Sequence, residues 1–180
     1  MKHFTKSLAA IGAAIVLSAA ALAQAQTPPP PPCTQDAKFR DFDFWVGYWE
    51  VTPWAGGQIA GHNKIEPVEG GCALSESWIN TSGGTGRSIN YYNPNTGNWR
   101  QVWVAGGYSI DIEGGINADG AMELEGTIFY YAQKNSVPFK GIWTPQPDGS
   151  VRQHFLQWNA ETEEWGTWFD GRYVRTAENK

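Results

Sequence analysis

Seven turn motifs cut this 180-residue chain into short pieces and leave it few ways to fold. Ala55-Gly56-Gly57, Glu69-Gly70-Gly71, Ser82-Gly83-Gly84, Asn93-Pro94-Asn95-Thr96-Gly97, Ala105-Gly106-Gly107, Asn117-Ala118-Asp119-Gly120 and Pro145-Gln146-Pro147-Asp148-Gly149 each supply Gly or Asn for a positive φ, or Pro for a fixed one. Between them apolar and polar residues alternate, and no stretch keeps a helical period for three turns. The pieces therefore read as strands, near 48–52, 58–67, 72–80, 86–92, 99–104, 109–114, 121–131, 139–144, 151–158 and 164–174. Connections this short permit hairpins and no crossovers, so strands adjacent in sequence pair in an up-and-down antiparallel meander. Closing the meander removes both edges, and about ten strands enclose a cavity. The expected fold is all-β, an up-and-down antiparallel barrel.

The run Asp41-Phe42-Asp43-Phe44-Trp45-Val46-Gly47-Tyr48-Trp49-Glu50-Val51 changes period in its middle, from a clustered aromatic segment to strand alternation. A short helical turn running into the first strand explains the switch, with Gly47 taking the backbone conformation the junction needs. The aromatic turn suits the closed end of a barrel, where large side chains seal the floor.

Upstream, Lys2, His3 and Lys6 precede the apolar run from Leu8 to Leu22, which ends in the small-x-small pattern Ala21-Leu22-Ala23. This is the pattern of a secretory signal peptide over 1–23, with cleavage after 23 or 25, and it points to secretion into the periplasm. A proline-rich linker and arm follow over 24–38, then a single domain over 39–176. Losing the leader takes 13 basic residues to 11 against 18 acidic, so the formal net charge moves from −5 to −7. With no run of Lys or Arg left, nucleic acid and anionic membrane surfaces are poor partners, and no membrane span remains. The residues just before Cys33 are prolines, where a lipidation site needs Leu and small residues. Pairing with Cys72, the only other cysteine, is the preferred reading, and closing that loop contributes roughly 3–4 kcal/mol.

Gly47-Tyr48-Trp49 after a helical plug resembles the Gly-x-Trp signature of the calycin group, which includes the lipocalins. In that group an arginine near the last strand stacks across the tryptophan at the barrel floor. The resemblance therefore implies a floor of Gly47, Trp49 and either Arg172 or Arg175, between which the sequence does not choose. The whole segment after the leader is also similar to secreted bacterial barrels with a domain related to DUF1579. Its similar motifs are 42–49, Gly71-Cys72-Ala73-Leu74-Ser75-Glu76-Ser77-Trp78, 92–103, 143–149 and Asp170-Gly171-Arg172-Tyr173. That resemblance implies a fold and a location, and no activity.

Residues two apart share a strand face. Glu76 lies with Leu74 and Trp78, Asn90 with Ser88 and Tyr92, Gln101 with Trp99 and Trp103, and Gln153 with Val151, Phe155 and Gln157. If these faces turn inward, they make an aromatic pocket with a few fixed polar groups, the composition of a small-molecule site. The alternative is a set of outward faces or a satisfied interior network. Glu76 is the most informative member, because a carboxylate among Leu and Trp is costly to bury charged. Parity puts Arg87, Arg100 and Arg152 on the opposite faces of their strands, so a buried Glu76 is expected to have a raised pKa.

His154 is the candidate haem ligand by analogy with nitrobindin-like barrels. Trp99, Trp158, Trp165 and Trp168 are the candidate surface platform for carbohydrate. Asp111 with Glu113, and Glu123 with Glu125, alternate against Ile110, Ile112, Met122 and Leu124, as solvated outer faces do. There is no Gly-x-Ser-x-Gly, His-Glu-x-x-His or phosphate loop, and no metal cluster. The first expectation is a barrel that binds a small, partly apolar molecule inside, without a cofactor and without chemistry. The alternatives are an isomerase or hydrolase using Glu76 as acid or base beside Gln101 and Gln153, and a haem- or carbohydrate-binding protein.

Overall fold

The computed structural model describes residues 29–177. The expected leader with its cleavage sites, and the start of the proline spacer, lie outside the described residues. Three 3₁₀ turns, Pro32–Thr34, Ala37–Arg40 and Asp43–Trp45, lead into ten strands: β1 (Gly47–Pro53), β2 (Gly61–Val68), β3 (Ala73–Asn80), β4 (Thr85–Asn93), β5 (Asn98–Ala105), β6 (Tyr108–Ile116), β7 (Met122–Tyr130), β8 (Asn135–Pro145), β9 (Val151–Asn159) and β10 (Glu164–Arg175). Each pairs antiparallel with its sequence neighbours, and β1 closes the barrel against β10 from Trp49↔Arg175 to Pro53↔Gly171. The expected meander is the observed one. Strand β8 starts four residues earlier than its alternation indicated, because Lys134 takes a φ of +52° and closes a tight hairpin at Tyr130↔Asn135.

The barrel's two ends are unlike because the N-terminal arm covers one of them. The N-terminal arm lies across the end where β4 turns into β5 and β8 into β9. There Phe39 packs edge-on against Tyr92, and Phe42 stacks on Trp45 and meets Trp99 and Trp143 edge-on. The Trp49 indole N–H donates to the Trp45 carbonyl at 2.8 Å. Above the Trp49 ring, 4.4 Å from its centroid, sits the guanidinium of Arg175, which donates to the carbonyls of Val46 at 2.8 Å and Phe44 at 3.3 Å. Gly47 has a φ of +148°, and a Cβ there would run into that guanidinium. The floor arginine is therefore Arg175. Arg172 is one residue from the inward-facing Tyr173, so parity sends it outward, where it donates to Asp148.

Cys33 and Cys72 are joined, with their Cα atoms 5.0 Å apart, and this ties the arm to the connection between β2 and β3. Two further bonds hold the arm down: Arg40 donates to the Gly71 carbonyl, and the Trp99 indole donates to the Lys38 carbonyl at 3.1 Å. Opening a crosslink between residues 39 apart is expected to lower stability by roughly 4 kcal/mol in the loop-closure account. Urea unfolding with and without a thiol reductant measures this, and an unchanged midpoint would mean that the crosslink constrains nothing in the unfolded chain.

The barrel interior is mostly filled, which corrects the expectation that ten strands enclose a cavity in place of a core. Rings from the arm and from β8 and β9 interlock, with Phe42 edge-on to Trp143, Trp143 edge-on to Phe155, and Phe155 edge-on to Phe139. Room for the largest rings comes from facing glycines. A Cβ on Gly86 would collide with the Trp103 ring, and one on Gly61 with the Trp78 ring.

Candidate functional site

Glu76 stands on β3 with its side chain inside the barrel, opposite Ile65 of β2 and Ser88 of β4, and is 3% exposed. Asn63 Nδ2 donates to its Oε1 at 2.7 Å, and Ser88 Oγ donates to its Oε2 at 2.6 Å. Behind Ser88 the line continues across the sheet, with Asn90 Nδ2 donating to Ser88 Oγ at 2.8 Å and Gln101 Nε2 donating to Asn90 Oδ1 at 2.8 Å. Period-two alternation on β2, β3, β4 and β5 builds this ladder, since each strand contributes its inward polar residue at neighbouring registers.

All donors to Glu76 in this ladder are neutral. The arginines that parity placed on the opposite faces are indeed outside: Arg87 with Ser77, Arg100 with Asp111 at 2.6 Å, and Arg152 with Asp170 at 2.8 Å. Burial disfavours the ionised carboxylate more than the two hydrogen bonds favour it, and the Glu76 pKa is pushed up to about 7. Two tyrosines share its surroundings. Burial, and then the charge of Glu76, hold the Tyr173 hydroxyl well above its ordinary pKa, and burial also raises Tyr108.

Beside Glu76 lies a cavity of about 60 Å³, with Gln153 as its other polar wall and Trp78, Trp103, Tyr108 and Phe155 among its rings. The Trp103 indole N–H is buried without an acceptor in hydrogen-bonding geometry. At the mouth the register of β10 shifts between Thr167 and Phe169. This bulge inserts Trp168 as an extra residue and turns its ring inward, where it meets Tyr108 and Phe139 edge-on and donates to the Tyr130 hydroxyl at 3.0 Å. Tyr130 in turn donates to Gln157. Trp168 remains 37% exposed, so it is the ring between the cavity and solvent.

The structure thus brings together Glu76, Trp78, Trp103, Gln153 and Phe155 on one cavity, with Ser88, Asn90 and Gln101 in the ladder beside it. Tyr92 does not belong there. It lies at the closed end between Phe39 and Trp99, because it is one pleat too far along β4. Gln157 is engaged at the rim by Tyr130. Gln101 reaches Asn90 and not the cavity, so the proposed acid-base trio is not assembled, whereas Gln153, which accepts from the Trp143 indole at 2.9 Å, does share the cavity with Glu76.

His154 is on the outer wall, 3.0 Å from Thr167 Oγ1 and beside Arg152 and Asp170, so it cannot hold a haem inside the barrel. The tryptophan platform is also dispersed: Trp99 is buried under the arm and Trp168 fills the mouth. Only Trp158 and Trp165 remain together on the outer wall, edge-on at 5.5 Å, with Lys140 over Trp165. The alternating acids are outward as expected, Asp111 against Arg100, and Glu123 and Glu125 against Lys140.

Asn63, Tyr108, Phe169 and Tyr173 were missed by sequence reasoning, and Trp168 was expected on the outer platform and not at the cavity. Asn63 had a signal, because it shares its face with Ile65 and not with His62 or Lys64. Trp168 had none, since alternation does not announce a bulge. No protein-family model matches the chain and no curated protein is significantly similar to it, so the chemistry of the site rests on its own geometry.

Proposed function

We propose that this barrel binds a small, partly apolar molecule in its interior, at the cavity beside Glu76. The observation that carries the reading is a carboxylate fully inside a ring-lined cavity with only neutral hydrogen-bond donors in its ladder. A purely structural interior gains nothing from a group that costs this much to bury. The volume limits the occupant. About 60 Å³ holds only a few non-hydrogen atoms, well below the roughly 300–1,000 Å³ of drug-sized sites, unless Trp168 swings out of the mouth.

The same proposal places the protein in the periplasm after removal of a signal peptide, and relates it to the calycin barrels and the DUF1579-related group. A disulfide between Cys33 and Cys72 supports an oxidising compartment. The closed ten-stranded barrel, and Arg175 stacked on Trp49 over a helical plug, support the calycin relation.

Indole N–H resonances in heteronuclear NMR test the binding reading. A panel of few-atom organics, neutral and charged, is expected to shift Trp103 and Trp168 saturably for at least one member while Trp158 and Trp165 stay in place. A response confined to Trp158 and Trp165 would move binding to the outer wall, and no saturable shift at Trp103 with any member would remove the proposal.

A further inference from the structure

We infer that the molecule taken by this cavity is a small organic cation, an ammonium or amidinium of a few heavy atoms, held between the Glu76 carboxylate and the faces of the surrounding rings. This rests on the interior-binding reading above and names its ligand class.

Three features of the site converge on positive charge. The first is the carboxylate, whose two oxygens accept from Asn63 and Ser88, both neutral, so an ionised Glu76 leaves an uncompensated negative charge at the cavity wall. The second is the wall itself. Trp78, Trp103, Tyr108, Phe155 and Trp168 present π-systems, whose faces attract cations and most strongly attract alkylammonium groups that shed water easily. The third is the disposition of the protein's own cations. Arg87, Arg100, Arg152 and Lys140 are all engaged on the outer wall, so none competes for Glu76 or repels an entering cation. An anion would face the Glu76 carboxylate at close range, with no cationic side chain on the cavity wall to hold it. A neutral apolar molecule would leave the carboxylate as costly as before. The net charge of −5 for the full chain also favours cations in the approach to the barrel.

Binding of a cation requires Glu76 ionised, so it is linked to the loss of a proton. The titratable groups facing Glu76 are Tyr108 on β6 and Tyr173 on β10, both kept in their neutral form by burial, while Asn63, Ser88 and Gln153 on β2, β4 and β9 do not titrate. Glu76 alone therefore sets the pH dependence. With its pKa near 7, affinity is level above neutrality and falls about tenfold for each pH unit below it.

The probes are methylammonium and tetramethylammonium, with tert-butanol as a neutral shape match and acetate as an anion, titrated into the protein and followed at the Trp103 and Trp168 indole N–H. At least one cation is expected to bind, and to bind about thirtyfold more weakly at about pH 5.5 than at about pH 8, with acetate silent. Calorimetry in two buffers of different ionisation enthalpy should show proton release on binding near pH 6. Glu76→Gln keeps an acceptor for Asn63 and should lose roughly tenfold or more in cation affinity while tert-butanol, if bound, is unaffected. Saturable tert-butanol binding with silent cations would overturn the cation assignment and leave interior binding standing. Silence of all four probes in the wild-type protein would count against both. Cation affinity that is independent of pH, or unchanged in Glu76→Gln, would overturn the role of the carboxylate. If Glu76→Gln does not fold, proton release by the wild-type protein decides the matter.

Discussion

Raising the pH from about 4.5 to about 8 should cost the ligand-free protein about 3 kcal/mol through Glu76, and Glu76→Gln should remove that loss. The carboxyl titrates at 4.5 in the unfolded chain and at about 7 in the folded one, so the native state holds the proton more tightly than the unfolded state does. The contribution is favourable and complete below the unfolded pKa, declines through the interval between the two values, and is gone above the folded one. His154 acts in the opposite sense: burial lowers its pKa, so it withdraws stability as the pH falls through the usual histidine range. That contribution is common to both proteins, and the difference between their urea-unfolding curves isolates Glu76. Above neutrality the variant should unfold at higher urea than the wild type. Parallel pH profiles would mean that Glu76 titrates alike in both states and would remove the picture of a costly buried carboxylate. A loss of this size retained in a protein whose total stability is on the order of 5–15 kcal/mol is the mark of a group kept for something other than folding.

At the other end of the barrel, Trp49→Ala should destabilise by about 3–5 kcal/mol, the cost of emptying a fully buried indole site in a closed floor. Three groups lose contacts together. Trp45 loses the donor to its carbonyl, Arg175 loses the ring under its guanidinium, and Tyr173 loses an edge-on neighbour. Arg175→Ala should cost less, about 1–2 kcal/mol, from the lost ring contact and the two carbonyls it bridges. Combined with Trp49→Ala it should add little, because the two side chains act as one unit. Arg172→Ala is expected to leave the midpoint nearly unchanged, since its partner Asp148 is exposed on a turn. Chemical denaturation of the set, with the Cys33–Cys72 crosslink intact, measures all of these. Equal losses from Arg172→Ala and Arg175→Ala would contradict the floor described here.

What could be read from residues alone was whatever depends on local chemistry. Turn residues at Gly56-Gly57, Gly83-Gly84 and Asn117 to Gly120 need no partner to declare themselves, and strand alternation follows from a period of two. The ten strands, their hairpin order, the aromatic plug before Gly47 and the pairing of the two cysteines were accordingly legible. So was the company of Glu76, because Leu74 and Trp78 share its face whatever the barrel does around it.

Other features exist only once the sheet has closed. Arg175 and Arg172 differ by three residues, and only the β1–β10 register, which sets Arg175 opposite Trp49, decides between them. The bulge before Phe169 reverses Trp168 from the outer wall to the mouth, and a one-residue shift of that kind leaves no trace in composition or period. The size of the cavity is likewise a sum over ten walls. Alternation says which side chains point inward, but how far Trp103, Phe155 and Trp168 reach across the lumen, and how little room they leave beside Glu76, depends on packing between residues far apart in the chain.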